Sequence, residues 1–165
     1  MKRTHVMTTV GVAALLAATS AVQADQKVKA SLNGYNEVPA VSTTGSGEFT
    51  ATIHEDSVDW TLTYQDLEGT VTGAAHIHLG QKDVNGGVSV FFCGTATTPC
   101  TPVSGSFSGT FTAADVVGPT PQGIAPGELA ELIAAMRAGE TYVNVHTNKH
   151  GGGEIRGQVG EDSSR

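Results

Sequence analysis

The chain has 165 residues, of which 39% are hydrophobic and 15% are charged, and its formal net charge is −7. This length is sufficient for one globular domain with its own hydrophobic core. An acidic chain without a basic cluster is not expected to bind nucleic acid or an anionic membrane surface.

The first 24 residues predict a secretory signal peptide. Lys2 and Arg3 precede an apolar run over residues 10–18, and the small-residue ending VQA at 22–24 is typical of a cleavage site. The run is too short for a permanent transmembrane helix, so an uncleaved anchor is the weaker alternative. Cleavage would change the formal charge from −7 to −9 by removing the two basic residues. We therefore predict one exported domain over residues 25–165, periplasmic or extracellular, with no membrane association.

Short runs of alternating apolar and polar residues, bounded by turn signals, predict about eight strands. They cover residues 27–34, 47–53, 57–67, 74–80, 86–92, 104–113, 141–147 and 153–159. A polar turn between the second and third runs, and a glycine-rich turn between the last two, predict two hairpins. Strands at this spacing are typical of an antiparallel sandwich or barrel. The polar residues after 159 are expected to be a frayed end.

Residues 126–139 depart from the two-residue period of the strands. Four apolar residues recur there at the spacing of one helical face, and a proline and a glycine mark the two ends. The apolar residues are Leu129, Leu132, Ile133 and Met136. The segment predicts one short amphipathic helix that contributes its apolar face to the core.

The two cysteines, Cys93 and Cys100, lie in the segment FFCGTATTPC. An exported chain enters an oxidising compartment, so we predict a disulfide that closes this short loop. The alternative is that the two cysteines are thiolate metal ligands. Their spacing does not match the CxxC pattern, so the sequence does not favour this alternative.

Four of the six histidines lie in two segments, GAAHIHLG at 73–80 and YVNVHTNKHGGGEIRGQV at 142–159. Residues two apart on a strand point to the same face, so His76 and His78 share one face, and His146 has the same outward parity. If the two segments are neighbours, these three histidines converge on one point. His150 in the glycine-rich loop could then supply a fourth ligand, with Arg156 alongside.

Imidazoles at this spacing can bind one ion through metal–nitrogen bonds of about 2 Å. Sites made only of imidazole suit copper or zinc. The alternative is that the histidines are half-exposed residues on a solvated sheet face and bind nothing. The sequence therefore predicts a histidine metal site, provided that two separate segments meet.

Three stretches resemble the CHRD domain, a module named for its occurrence in chordin. They are LNGYNEVPAVSTTGSGEFTATI at 32–53, AAHIHLG at 74–80, and ELIAAMRAGETYVNVHTNKHGGGEIRGQV at 131–159. The resemblance covers about residues 27–159 and implies an all-β, antiparallel Greek-key sandwich of the immunoglobulin type. It does not determine the function, because one fold supports many functions.

The histidine pattern also resembles the copper site of Cu/Zn superoxide dismutases, which combine an HxH strand pair with further histidines and a nearby arginine. The ligands that this resemblance implies are His76, His78, His146 and His150. Arg156, helped by Lys149, would attract the anionic substrate. The chain shows no separate Asp/His set for zinc, so the resemblance implies a copper-only site.

The leading hypothesis is therefore a copper-dependent enzyme that acts on superoxide. A second hypothesis is a non-catalytic extracellular module that sequesters copper, or that binds a protein partner or a second copy of itself. A third is a zinc site with three histidines and an open water position, which would support hydration or hydrolysis. The chain has no GxSxG, HExxH or phosphate-loop motif, so hydrolysis by those routes is disfavoured.

Overall fold

A computed structural model describes residues 24–71, 74–94 and 98–161. The predicted signal peptide lies outside this part of the chain, apart from Ala24. The described residues form nine strands: β1 Gln26–Asn33, β2 Ser46–Ile53, β3 Val58–Gln65, β4 Ala75–Leu79, β5 Val88–Cys93, β6 Gly105–Phe111, β7 Thr141–Val145, β8 Ile155–Gln158 and β9 Gly160–Glu161. They also form one α-helix, α1, at Leu129–Arg137, and three single turns of 3₁₀-helix.

The strands form one continuous sheet in the order β5-β4-β7-β8-β1-β2-β3-β6, and β9 adds to β1. Neighbouring strands are antiparallel, and both predicted hairpins, β2–β3 and β7–β8, are present. The sheet curls so that Phe92 of β5 lies 5.3 Å from Phe49 and 4.5 Å from Trp60, measured between ring centroids. The all-β prediction is confirmed, with a nearly closed, barrel-like sheet in place of two separate layers.

The polar face of the β4–β7 region is enclosed, in contrast to the outer face of β2 and β3. In β2 and β3 buried and more exposed residues largely alternate, as the sequence period predicts. Every residue of Thr141–Val145 is buried, and so are the first four residues of β4. One face of these strands packs on the core, while the loops around residues 81–87 and 147–153 contact polar side chains on the other. The histidines predicted to point away from the core therefore lie in a second buried layer.

The helix is confirmed, with its four predicted apolar residues buried. It begins at Leu129, three residues after Pro126. Within the described ranges, no helix is long and apolar enough to cross a membrane. The expectation of a frayed end after residue 159 is wrong for Gly160 and Glu161, because both pair with β1; residues 162–165 lie outside the described part.

Cys93 and Cys100 form the predicted disulfide. Cys93 ends β5, so the bond joins the end of this edge strand to Cys100. The alternative of two thiolate metal ligands is wrong, since both sulfur atoms are in the disulfide.

The double variant Cys93→Ser/Cys100→Ser is expected to lower the free energy of unfolding by about 2–3 kcal/mol, because the short loop no longer restricts the unfolded chain. Urea denaturation of both proteins, with and without reductant, measures the difference. Reductant should destabilise the wild type and leave the double variant unchanged. An equal effect of reductant on both proteins would contradict this account.

Candidate metal centre

Strands β4 and β7 are neighbours, and this brings the two histidine segments together. His76 lies opposite Asn144 and His78 opposite Tyr142 in the β4–β7 ladder. His146 follows the last residue of β7. One ligand nitrogen from each of the three histidines lies within 4.8 Å of the others. The structure thus groups three of the four predicted ligands as a set that could hold one metal ion.

All three rings are kept neutral by burial. His76 and His78 are only 9% and 7% exposed, and His146 is half-buried. Burial, together with the neighbouring imidazoles, lowers the pKa of His76 to about 3. Burial likewise lowers the pKa of His78 to about 4, and that of His146 below its usual value. At neutral pH each ring therefore has an unprotonated nitrogen whose lone pair can bind a metal.

Backbone carbonyls determine which nitrogen carries the proton in two of the rings. His78 Nδ1 lies 3.0 Å from the Gly86 oxygen, and His146 Nδ1 lies 3.0 Å from the Gly151 oxygen. A carbonyl oxygen only accepts, so Nδ1 donates in both rings and Nε2 keeps the lone pair. Metal-binding histidines are usually oriented by a hydrogen bond of this kind.

Two of the ring nitrogens are buried without a hydrogen-bond partner in the described part of the chain. They are His76 Nδ1 and His78 Nε2. Buried polar atoms in native proteins are nearly always bonded, so such atoms call for an explanation. A metal ion shared by the three rings would satisfy both, and the donor set fits copper or zinc.

His150, the fourth predicted ligand, is not a member of this group. Its backbone N–H donates to Thr147 Oγ1 at 3.1 Å, and its ring lines a small cavity beside Glu37 and Gly153. His150 Nε2 is buried and unpartnered among the described residues. Its role as a ligand stays a prediction.

Arg156 lies behind the centre, in a stack of three side chains. Its guanidinium carbon is 3.4 Å from the centroid of the Tyr142 ring, and that ring is parallel to the ring of His78 at 4.7 Å. Arg156 is 2% exposed and donates to Asn85 Oδ1 at 2.9 Å and to the Val84 oxygen at 2.6 Å. It therefore supports the loop that supplies the Gly86 carbonyl.

The predicted role of Arg156 in attracting an anion stays a prediction. Burial is the main cause of the low pKa of His78, and the positive charge of Arg156 also lowers it, so this charge reaches the centre. Lys149, its predicted helper, forms an ion pair with Glu68.

Sequence reasoning assigned no role to Asn144 and missed Glu37 entirely. Asn144 Oδ1 lies 3.1 Å from His146 Nε2. Glu37, in the loop after β1, is 6% exposed, and burial raises its pKa to about 7, against the opposing effects of Arg156 and Asn144. The outward parity of Asn144 was a usable signal. Nothing in the sequence around Glu37 indicated that it folds over β7.

The metal-free protein is expected to lose stability as the pH falls from 6.5 towards about 4. In this window the unfolded chain binds protons at His76 and His78 that the native protein does not bind. Each group contributes up to about 1.4 kcal/mol per pH unit. Urea denaturation at several pH values should give a shallower decline for His76→Gln/His78→Gln than for the wild type. Above pH 4.5 Glu37 has the opposite effect on stability, because its raised pKa lets the native protein bind a proton that the unfolded chain does not bind. The test therefore compares the slopes of the two proteins, and equal slopes would contradict the prediction.

A family model for the CHRD domain matches residues 28–159 of the chain. No curated protein matches it. The matched span runs from β1 to the residue after β8 and contains the three histidines of the centre. The candidate metal site is therefore part of the matched domain.

Proposed function

We propose that this chain, which belongs to the CHRD domain family, is an exported copper-binding protein that disproportionates superoxide. The observation that carries the proposal is the group of three neutral imidazoles whose ligand nitrogens lie within 4.8 Å of one another. Hydrogen bonds to Gly86 and Gly151 orient two of them before any metal binds.

Export is supported by the signal-peptide pattern of the first 24 residues and by the disulfide. Disulfides persist in oxidising compartments and are rare in the cytosol. The outermost ring of the centre, His146, is half-buried, and copper and superoxide would reach the ion from that side.

Bound copper would supply one-electron chemistry: one superoxide gives up an electron and becomes dioxygen, and a second takes up that electron with two protons and becomes hydrogen peroxide. His76, His78 and His146 would hold the ion. The Arg156 charge, placed behind Tyr142, would offset part of the repulsion that an acidic protein exerts on an anion.

The test uses the purified exported chain, loaded with copper or with zinc and analysed for metal content. Stopped-flow measurement of superoxide decay should show dismutation that depends on copper and is absent from the zinc-loaded protein. Full copper occupancy without dismutation would reject the enzymatic proposal and favour sequestration. Occupancy by zinc in preference to copper would favour the hydration or hydrolysis alternative.

Two substitutions separate the charge of Arg156 from its structural role. Arg156→Met is expected to lower kcat/KM for superoxide about threefold to tenfold and to weaken its dependence on ionic strength, whereas Arg156→Lys, which keeps the charge, should lose less. Stopped-flow assays at several salt concentrations measure both. Equal losses in the two variants, with the salt dependence unchanged, would mean that Arg156 acts only by supporting the loop.

A further inference from the structure

We infer that Asn144 Oδ1 is a fourth protein ligand of the metal, and that Glu37 is the positioning residue that turns this oxygen towards the histidines. The inference rests on metal binding at the centre proposed above, and it changes the ligand set from three nitrogens to three nitrogens and one oxygen.

The orientation of the Asn144 amide is determined on its far side, by Glu37. The Glu37 carboxyl group lies beside the Asn144 amide, and Asn144 opposes the rise in the Glu37 pKa that burial causes. Of the two polar atoms of the amide, only Nδ2 can donate to a carboxylate oxygen, and Nδ2 is the atom on the Glu37 side. The two groups meet against Gly153, where an added Cβ would overlap Glu37 Oε1 and lie 2.8 Å from Asn144 Nδ2. With Nδ2 used in this way, Oδ1 points towards the histidines.

The protonation of His146 is determined independently, by Gly151. Because His146 Nδ1 donates to the Gly151 oxygen, His146 Nε2 has no proton to give. Asn144 Oδ1 nevertheless lies 3.1 Å from this nitrogen. Two acceptors therefore face each other in a largely buried place. A cation between them converts this repulsion into two coordinate bonds.

The same oxygen lies among the other two rings. Asn144 is the cross-strand partner of His76, whose ring centroid lies 5.2 Å from that of His78 and 5.0 Å from that of His146. His78 Nε2 and His76 Nδ1 are both buried and lack a hydrogen-bond partner among the described residues. Three ring lone pairs and one amide oxygen thus surround the same space, which is the number of ligands that a tetrahedral site requires.

A ligand set of three imidazoles and one amide oxygen suits a borderline divalent ion such as Cu²⁺ or Zn²⁺ better than a soft monovalent ion, because oxygen is a hard donor. We expect this oxygen donor to favour the divalent state of bound copper.

The experiment measures Cu²⁺ affinity by competition with a chelator, and the electron paramagnetic resonance spectrum of the bound ion. Asn144→Leu removes the oxygen with little change of volume. It is expected to weaken Cu²⁺ binding at least about tenfold and to change the copper hyperfine splitting. The double variant Asn144→Asp/Glu37→Gln restores an oxygen ligand at position 144. The amide introduced at position 37 can donate a hydrogen bond to the new carboxylate, so this variant should recover most of the affinity.

Gln158→Leu is the matched control. Gln158 lies on β8 opposite Tyr142 of β7, and its amide donates to the carbonyl oxygens of Gly80 and Gly139 and not to the centre. This variant should keep the wild-type affinity and spectrum even if it is less stable. Circular dichroism and urea denaturation establish that each variant is folded.

Unchanged affinity and an unchanged spectrum in folded Asn144→Leu would overturn the inference. If that variant does not fold, a crystal structure of the copper-loaded wild type decides, since a ligand Oδ1 lies about 2.0–2.2 Å from the metal; a separation of more than about 3 Å overturns the inference. If Asn144→Leu weakens copper binding as expected but the copper-loaded wild type does not dismutate superoxide, only the enzymatic proposal is rejected. Dismutation in a fully active Asn144→Leu protein rejects only the inference.

Discussion

Substitution of His78 by alanine is expected to raise the dissociation constant for copper by at least about 100-fold. Loss of residues that merely orient a ligand already costs 10–100-fold in affinity, and His78 Nε2 is itself a buried lone pair of the group. Chelator competition with the purified protein measures the change. Wild-type affinity in folded His78→Ala would show that copper binds elsewhere.

Two other histidines provide controls for this result. His54 forms ion pairs with Asp25 and Asp59 near the β2–β3 turn, and His54→Ala should leave copper affinity unchanged. His150 lies outside the three-histidine group, so His150→Ala is expected to change the affinity less than about threefold. A loss as large as that of His78→Ala would instead establish His150 as a ligand.

Substitution of Glu154 by leucine is expected to lower the free energy of unfolding by about 3–4 kcal/mol. Glu154 is fully buried, and its carboxylate accepts four hydrogen bonds. The donors are Thr43 Oγ1 at 2.7 Å, Glu68 N at 2.7 Å, Gly69 N at 3.1 Å and Thr147 Oγ1 at 2.8 Å. The substitution leaves these donors unpaired, two of them buried and two part-buried, in three segments that are distant in sequence. Urea denaturation of the metal-free protein measures the loss.

Glu131→Gln, on the exposed side of α1, is the matched control and should change stability by less than about 0.5 kcal/mol. Burial acts to raise the pKa of Glu154, but the four hydrogen bonds outweigh it and hold the pKa below the ordinary 4.5. The contribution of Glu154 is therefore complete above pH 4.5 and lost as the pH falls through its lower native pKa. Wild-type stability in Glu154→Leu would show that the neighbouring loops are held by other contacts.

The locations of the strands and the helix could be predicted because they depend on neighbours in sequence. The alternation in SGEFTATI and the four apolar residues of α1 determine locally which face is apolar. The short strand formed by Gly160 and Glu161 was not predicted, because two residues are too few to show an alternating pattern. Their pairing with β1 depends on where the sheet places the chain end.

The second buried layer, formed by polar side chains on the outer face of β4 and β7, could be predicted only in part. Parity alone placed His76, His78 and His146 on corresponding faces. It could not place β4 beside β7, which are separated by more than 60 residues and two other strands. It also could not reveal that loops enclose this face, because a covered polar face and a solvated one have the same alternation.

The sequence by itself determined the all-β class, the positions of the strands, the disulfide partners and the shared parity of three histidines, since these follow from local spacing and from two cysteines. Only the tertiary structure decided what the histidines can do. The pairing of β4 with β7 brings the rings together, and the carbonyls of Gly86 and Gly151 fix the protons. Burial by distant loops keeps the rings neutral and places Glu37 behind Asn144. Desolvation and hydrogen-bond direction depend on residues far apart in the chain, and no local pattern records them.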